Sequence, residues 1–228
     1  MVENQNLTNG LFSRLEDLGG ATVFSGTRVD SISLGEDTGS VDFASWPVVR
    51  LSNGDSLTAR LLVGADGFNS PVRSFADIPS RGWDYNRTGV VATLNMEDSG
   101  WGGYFRKIAY QRFLPTGPIA MLPLPGPYAT LVWSTTPERA SLLKRLSTED
   151  FVAMVNAGFR LSPADLDYLH SIEHGQVDEL KWRDPQTHYD ATKIPQRILD
   201  VQNGSIAGFP LRLRHVDTYV GERVALIG

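Results

Sequence analysis

The residue types best suited to chemistry meet at Leu61-Leu62-Val63-Gly64-Ala65-Asp66-Gly67, an apolar run ending on a carboxylate between two glycines. Glycine beside a carboxylate lets the backbone approach a ligand closely. The end of a buried-type strand is also where open α/β sheets bind ligands. An aspartate there can accept a hydrogen bond from a ribose hydroxyl. Arg73, about one helical turn beyond Ser70, would face the same crevice and meet a phosphate. Ala-Asp-Gly is equally an everyday turn, and residue type alone leaves both readings open. The remaining reactive types are sparse. There is no cysteine, which excludes disulfides, thiolate metal sites, iron–sulfur clusters and a cysteine nucleophile. His170, His174, His188 and His215 are scattered without metal-ligand spacing, so no metal site and no catalytic acid or base is assigned.

Positioning that motif requires a strand before it and a helix after it. Ser70-Pro71 reads as the helix start, because a serine hydroxyl caps a free N–H and proline lacks one. Upstream, Leu7, Leu11, Leu15 and Leu18 recur at helical spacing and stop at Gly19-Gly20, which predicts a helix with its apolar stripe on the core. Strands are expected at Thr22–Phe24, Arg28–Leu34, Val48–Leu51 and Ser56–Val63, with a variable loop from Gly35 to Trp46. Asn53-Gly54 predicts a type I′ hairpin turn.

Downstream, Thr88–Met96, Ala109–Leu114, Ile119–Leu124 and Tyr128–Thr135 read as an antiparallel meander punctuated by Gly117-Pro118 and Gly126-Pro127. Phe113, Leu114, Leu122 and Leu124 would alternate into its core, Trp133 reads as a core or edge residue, and Arg112 as a surface charge. Helices follow at Glu138–Leu146, from Ser147 with Asp150 as a capping-box acid, and at Ser162-Pro163. Strands return at Ile206–Leu213 and Arg223–Ile227. This order is a mixed α+β pattern rather than regular βαβ alternation.

Resemblance adds to this reading. The run from Gly64-Ala65-Asp66-Gly67 through Ser70, Val72 and Arg73 is similar to the second flavin fingerprint of the para-hydroxybenzoate-hydroxylase family. Gln111–Leu124 and Leu131-Val132-Trp133-Ser134-Thr135 resemble patterns of the ubiquinone (coenzyme Q) biosynthesis hydroxylases, in their mitochondrial branch. Phe209-Pro210-Leu211 and Arg223–Gly228 resemble the approach to that family's third flavin motif. The resemblance implies FAD as cofactor, with Gly64, Asp66, Gly67 and Arg73 binding it. It implies an α+β and α/β fold: an incomplete flavin-binding domain over 1–87, an antiparallel-sheet substrate domain with helices over 88–205, and return strands over 206–228.

No Gly-x-Gly-x-x-Gly loop is present; Gly19-Gly20 and Gly102-Gly103 do not fit it. Gly228 falls where the family continues with Asp-Ala-Ala-His. The expectation is therefore an internal fragment, inactive by itself. The implied activity of the parent is FAD-dependent monooxygenation, hydroxylating a polyprenylated phenolic ring in ubiquinone biosynthesis. The implied partners are a ferredoxin-type electron donor, other ubiquinone-synthesis proteins and the membrane surface on the matrix side of the mitochondrial inner membrane. Two other readings stay open: a non-catalytic interaction module of the ubiquinone biosynthesis complex, and a flavin hydroxylase of a small phenol.

Composition limits the remaining classes. A hydrophobic share of 41% and a charged share of 21% match ordinary globular proteins and argue against disorder. The net charge of -5 argues against a nucleic-acid partner. No apolar stretch reaches the roughly 20 residues that span a membrane, and Met1–Gly10 has neither the basic residues nor the apolar core of a targeting segment.

Overall fold

A computed structural model of the chain describes residues 2–96 and 108–228, so Gly102-Gly103 lie outside the described residues. Helix α1 (Asn4–Leu18) forms as predicted and is followed by Gly19 and Gly20 at positive φ. Its leucines do not face a core: no residue of α1 is buried, and Leu11 is 62% exposed. The 3.6-residue period decides which side chains share a face, not whether another element covers that face.

Strands β1 (Val29–Leu34), β2 (Pro47–Leu51) and β3 (Ser56–Thr58) form an antiparallel sheet in that order. Thr22–Phe24 forms no strand. The β2–β3 hairpin is present, but its turn is not type I′. Only Gly54 takes a positive φ, +93°, and its N–H donates to the Leu51 carbonyl at 2.9 Å. The Asn53 side chain instead accepts from the Asp55 N–H at 3.1 Å. This local contact suits an asparagine at negative φ, ahead of a left-handed glycine.

The strand expected over Ser56–Val63 breaks after β3, and β4 (Leu62–Gly64) joins a different sheet. Helix α2 (Pro71–Phe75) starts as read, with the Ser70 hydroxyl accepting from the Arg73 N–H at 2.9 Å. Strand β5 (Ser80–Met96) begins well before Thr88. Then come β6 (Tyr110–Leu114), β7 (Gly117–Pro123) and β8 (Tyr128–Thr135), each antiparallel to the next.

Helices α3 (Pro137–Arg145), α4 (Thr148–Arg160) and α5 (Pro163–Ser171) start at Thr136, Ser147 and Ser162, whose hydroxyls accept from the N–H three residues on. Asp150 does not close a capping box. Its carboxylate accepts from the Val177 N–H at 3.1 Å, at the start of α6 (Gln176–Arg183). Beyond α6 lie β9 (Ile198–Val201), β10 (Ala207–Val216), β11 (Val220–Gly221) and β12 (Val224–Leu226). The fold is mixed α+β, as expected.

The chain divides into two compact units, with the cuts falling inside α1, β5 and β10. The first holds Met1–Arg14 and Asp84–Leu211; the second holds Leu15–Trp83 and Arg212–Gly228. In the first unit the strand order is β10-β5-β8-β7-β6, with β9 beside β5. Alternate residues of its central strands, Val90, Leu94, Ile119, Met121, Leu131 and Trp133, are buried on one face. They form a core with Leu143 of α3, Phe151 and Met154 of α4, and Leu169 of α5. Helix α4 lies directly on the sheet, since a Cβ added at Gly158 would sit 2.7 Å from Ile119 Cδ1.

Trp133 is thus a core residue, and Leu124 is buried too, but Phe113 is 79% exposed. Arg112 is half-buried rather than a surface charge, and its Nη1 donates to the Gly158 carbonyl at 3.0 Å. A cation there satisfies a carbonyl that the last turn of α4 leaves open. Strand β9 is fastened to α4 by Asn156, which donates to Ile198 O at 2.9 Å and accepts from Ile198 N at 3.0 Å.

In the second unit β12 pairs with β4 in parallel and with β11 antiparallel. Its buried apolar residues are Val49, Leu51, Val72, Ile78, Val216 and Val224. No helix among the described residues is long and apolar enough to cross a membrane.

Candidate functional site

Parallel strands with open carboxyl ends make a natural ligand crevice, and the second unit has one such pair. Leu62, Val63 and Gly64 of β4 stand opposite Val224, Ala225 and Leu226 of β12, and the Ile227 N–H donates to Gly64 O at 2.9 Å. Both strands therefore end side by side. A cleft of about 350 Å³ opens there, and Gly64, Asp66, Gly67 and Arg73 all line it. The four residues singled out from sequence are brought together in one place.

Local geometry explains each of them. Gly64 is buried, and an added Cβ would lie 2.8 Å from Val72 Cβ and 2.9 Å from Leu226 Cδ2, so α2 and β12 both press on it. Gly67 turns the chain at φ +79°, a region side chains disfavour. Asp66 accepts from the Val72 N–H at 3.1 Å, satisfying a free donor of the first turn of α2. Burial opposes ionisation of Asp66. The Ser70 hydroxyl, the Val72 N–H and its own N–H, with Arg73 nearby, outweigh that and hold its carboxyl below the usual range. Asp66 thus caps a helix as well as lining the cleft. Arg73 is steadied by donating from Nη1 to Phe68 O at 3.0 Å.

The opposite wall comes from β10, whose Arg212, Arg214 and His215 also line the cleft. Both guanidiniums stand over the Phe68 ring, at 5.6 Å and 5.3 Å from its centroid. His215 lies 6.2 Å from the Tyr219 ring. Sequence reasoning gave His215 no role and passed over Phe68, Arg212, Arg214 and Tyr219. A signal was present: Arg212 and Arg214 are two apart on a strand, so they share a face. Three arginines and one aspartate line this cleft in a protein of net charge -5. That lining, with a glycine turn and a carboxylate able to accept from a hydroxyl, suits a phosphorylated nucleotide.

A larger hollow of about 480 Å³ lies in the first unit between α4, α6 and β9. Two of its polar residues are engaged within the fold: Asp184 accepts from Arg197 and from the Tyr189 hydroxyl, and Asn156 is committed to Ile198. The smaller cleft is therefore the better site, on chemistry rather than size. Among the described residues no group of three or more His, Asp or Glu could hold a metal ion.

The profile of a family described as FAD binding domain matches residues 1–174. The chain is 41% identical over 250 residues to the mitochondrial ubiquinone biosynthesis monooxygenase COQ6 of Saccharomyces cerevisiae, covering 100% of this chain and 50% of that protein. It is 46% identical over 176 residues to COQ6 of Schizosaccharomyces pombe, covering 75% and 36%. For COQ6 of Xenopus tropicalis the figures are 37% over 229 residues, covering 100% and 48%. The chain thus spans half or less of the length of these relatives.

Among solved structures, the ternary complex of aklavinone-11 hydroxylase with FAD and aklavinone superposes with a TM-score of 0.56 at 22% identity, over 100% of this chain and 36% of that one. The flavin-dependent halogenase CmlS gives 0.59 at 14%, over 100% and 34%. At these identities the likeness speaks for the fold. This chain belongs to the FAD binding domain family, in the para-hydroxybenzoate-hydroxylase-like group that includes the ubiquinone biosynthesis monooxygenases.

Proposed function

We propose that the cleft of the second unit binds FAD, with Asp66 on the ribose, Gly64 and Gly67 admitting the backbone close to the cofactor, and Arg73 on a phosphate. The observation that carries this reading is the convergence of these residues with Arg212 and Arg214 in one cleft at the carboxyl ends of β4 and β12. The residues present fit such a group in charge and hydrogen-bonding type. When bound, FAD supplies the redox chemistry that activates O₂ for ring hydroxylation; the chain's part is to bind, orient and exclude water.

The activity that follows is hydroxylation of a polyprenylated phenolic intermediate of ubiquinone biosynthesis. The second face of the first unit's sheet suits an apolar tail. Val91 pairs with Val132 and Val132 with Ala120, all half-buried and pointing away from the core. The partners proposed with this activity are a ferredoxin-type electron donor, other ubiquinone-synthesis proteins and the matrix side of the mitochondrial inner membrane. The mitochondrial naming of the relatives supports that location. With this activity goes a proposed division of labour: a flavin-contacting part over 1–87 and 206–228, and a substrate-contacting part over 88–205.

The test replaces the matching half of the Saccharomyces cerevisiae relative with this chain, in cells lacking the native enzyme. Restored ubiquinone synthesis, lost in the Asp66→Ala version together with flavin retention, is the expected result. A folded chimera that retains flavin equally well with Asp66→Ala would remove Asp66 from the site. A chimera that binds flavin but makes no ubiquinone would remove the activity.

A further inference from the structure

The chain contains three Asn-Gly pairs, Asn9-Gly10, Asn53-Gly54 and Asn203-Gly204. Such a pair can modify itself. The glycine nitrogen attacks the asparagine side-chain carbonyl carbon and a succinimide ring closes. The amide nitrogen leaves as ammonia, taking the proton from the glycine nitrogen. Water then opens the ring at either carbonyl, leaving aspartate or isoaspartate. Glycine favours the closure because no side chain shields its nitrogen. Two freedoms are required: the glycine N–H must be unengaged, and the asparagine side chain must be able to swing onto it.

The fold withholds those freedoms at two of the pairs. Asn9 and Gly10 lie inside α1, where the helical ladder holds the backbone N–H groups. At the β2–β3 turn the Gly54 N–H donates to Leu51 O at 2.9 Å. The Asn53 side chain there donates to Asp55 Oδ2 at 2.7 Å and accepts from the Asp55 N–H at 3.1 Å. Asn203-Gly204 is different. Both residues are exposed at the tip of the turn between β9 and β10, with Gly204 at φ +72°. The flanks of that turn are tied down. The Gln202 N–H donates to Thr93 O at 2.8 Å, the Thr93 N–H donates to the Ser205 hydroxyl at 3.0 Å, and the Ser205 N–H donates to Gln202 O at 3.0 Å. Among the described residues neither the Asn203 side chain nor the Gly204 N–H has a hydrogen-bond partner. A Cβ added at Gly204 would meet nothing within 4 Å.

We propose that Asn203 is a self-modification site, the position at which the folded chain deamidates through a succinimide with Gly204. The product places a new carboxylate at the tip of the turn, and isoaspartate also lengthens the backbone there by one carbon. That extra atom falls between Gln202 and Ser205, the two residues fastened to Thr93, so the isoaspartate form loosens the turn from β5. The site stands apart from the flavin reading, since Asn203 belongs to the first unit.

The experiment incubates the 228-residue chain in mildly alkaline buffer, with and without urea. Each pair is followed by peptide mapping and mass spectrometry, which reads the mass gained when an amide becomes an acid. In urea the three pairs should convert at similar rates, because the local sequence alone then governs them. In the folded chain Asn203 should stay within about threefold of its rate in urea, while Asn9 and Asn53 fall about tenfold or more behind it, since ring closure there must await local opening. Asn203→Gln, whose longer side chain no longer closes a five-membered ring, should abolish conversion at that position and leave the other two rates unchanged. Hydrogen exchange at the Thr93 N–H should quicken in the isoaspartate form. Equal rates at the three pairs of the folded chain, or a faster Asn9 or Asn53, overturn the site. So does an Asn203 that resists conversion in the folded chain while converting in urea. Unchanged exchange at Thr93 in the isoaspartate form overturns the loosening of the turn.

Discussion

The two units of this chain hold together by different means. In the first, the largest fully buried side chains, among them Trp133, Phe151, Leu94 and Met154, converge from sheet and helices on one core. In the second, the covered residues are few and small, chiefly Val49, Val72 and Val224, while Leu18, Leu61 and Val63 stay exposed. The second unit instead carries the glycine turn, the capped carboxylate and the guanidiniums of the cleft.

The contrast is sharpest at Trp133. Trp133→Ala empties the centre of the first core and should cost about 3–5 kcal/mol, read by urea unfolding followed by circular dichroism. A loss under about 1 kcal/mol would deny that this side chain is tightly packed. Asn156→Ala should come next. It leaves the buried Ile198 N–H and carbonyl without partners, at about 1–3 kcal/mol for each group. Hydrogen exchange at Ile198 should accelerate with it.

Gly64→Ala tests the second unit, where the new Cβ meets Val72 Cβ, an atom fixed to its backbone. A cost of about 1–3 kcal/mol is expected, with faster exchange at Val224–Leu226 and unchanged exchange in β7 and β8. Equal losses in both units would erase the distinction drawn above.

His170 offers a pH lever on the first unit. Burial, aided by Arg139 and opposed by Asp167, pushes its pKa down from 6.5 to about 4. The folded state therefore favours neutral imidazole. Stability is full above pH 6.5 and declines as pH falls from 6.5 towards about 4, with a slope of at most about 1.4 kcal/mol per pH unit. His170→Gln should flatten that slope; an unaltered profile would deny that this histidine is buried neutral. The smallest effect is expected at Arg28→Ala. Its pair with Asp30 is solvent-exposed on both sides, so stability should move by no more than about 0.5 kcal/mol.

Much of the fold was legible because its signals are local. Ser70, Ser147 and Ser162 cap helices by reaching three residues along the chain, and the meander strands alternate in place. Helix α6 left no comparable trace. It begins after Gly175 at φ +91° with no side-chain cap of its own, and Asp150, far back in sequence, holds its start. Strand β9 is short and depends on Asn156 in the same way. Within the site, the carboxylate between glycines and Arg73 could be read directly, since the motif is contiguous. Phe68 and the β10 arginines could not, because their meaning is their meeting.

By itself the sequence determined the local grammar: which residues start helices, which strands alternate, and that Asp66 sits in a turn able to approach a ligand. Only the tertiary structure decided that β4 leaves its hairpin to run parallel with β12, that α1 shows its leucines to solvent, and that Arg212 and Arg214 stand over the distant Phe68 ring. Hydrogen bonds between near neighbours are set by residue type and spacing. Pairing and charge convergence between remote segments are set by how the whole chain packs.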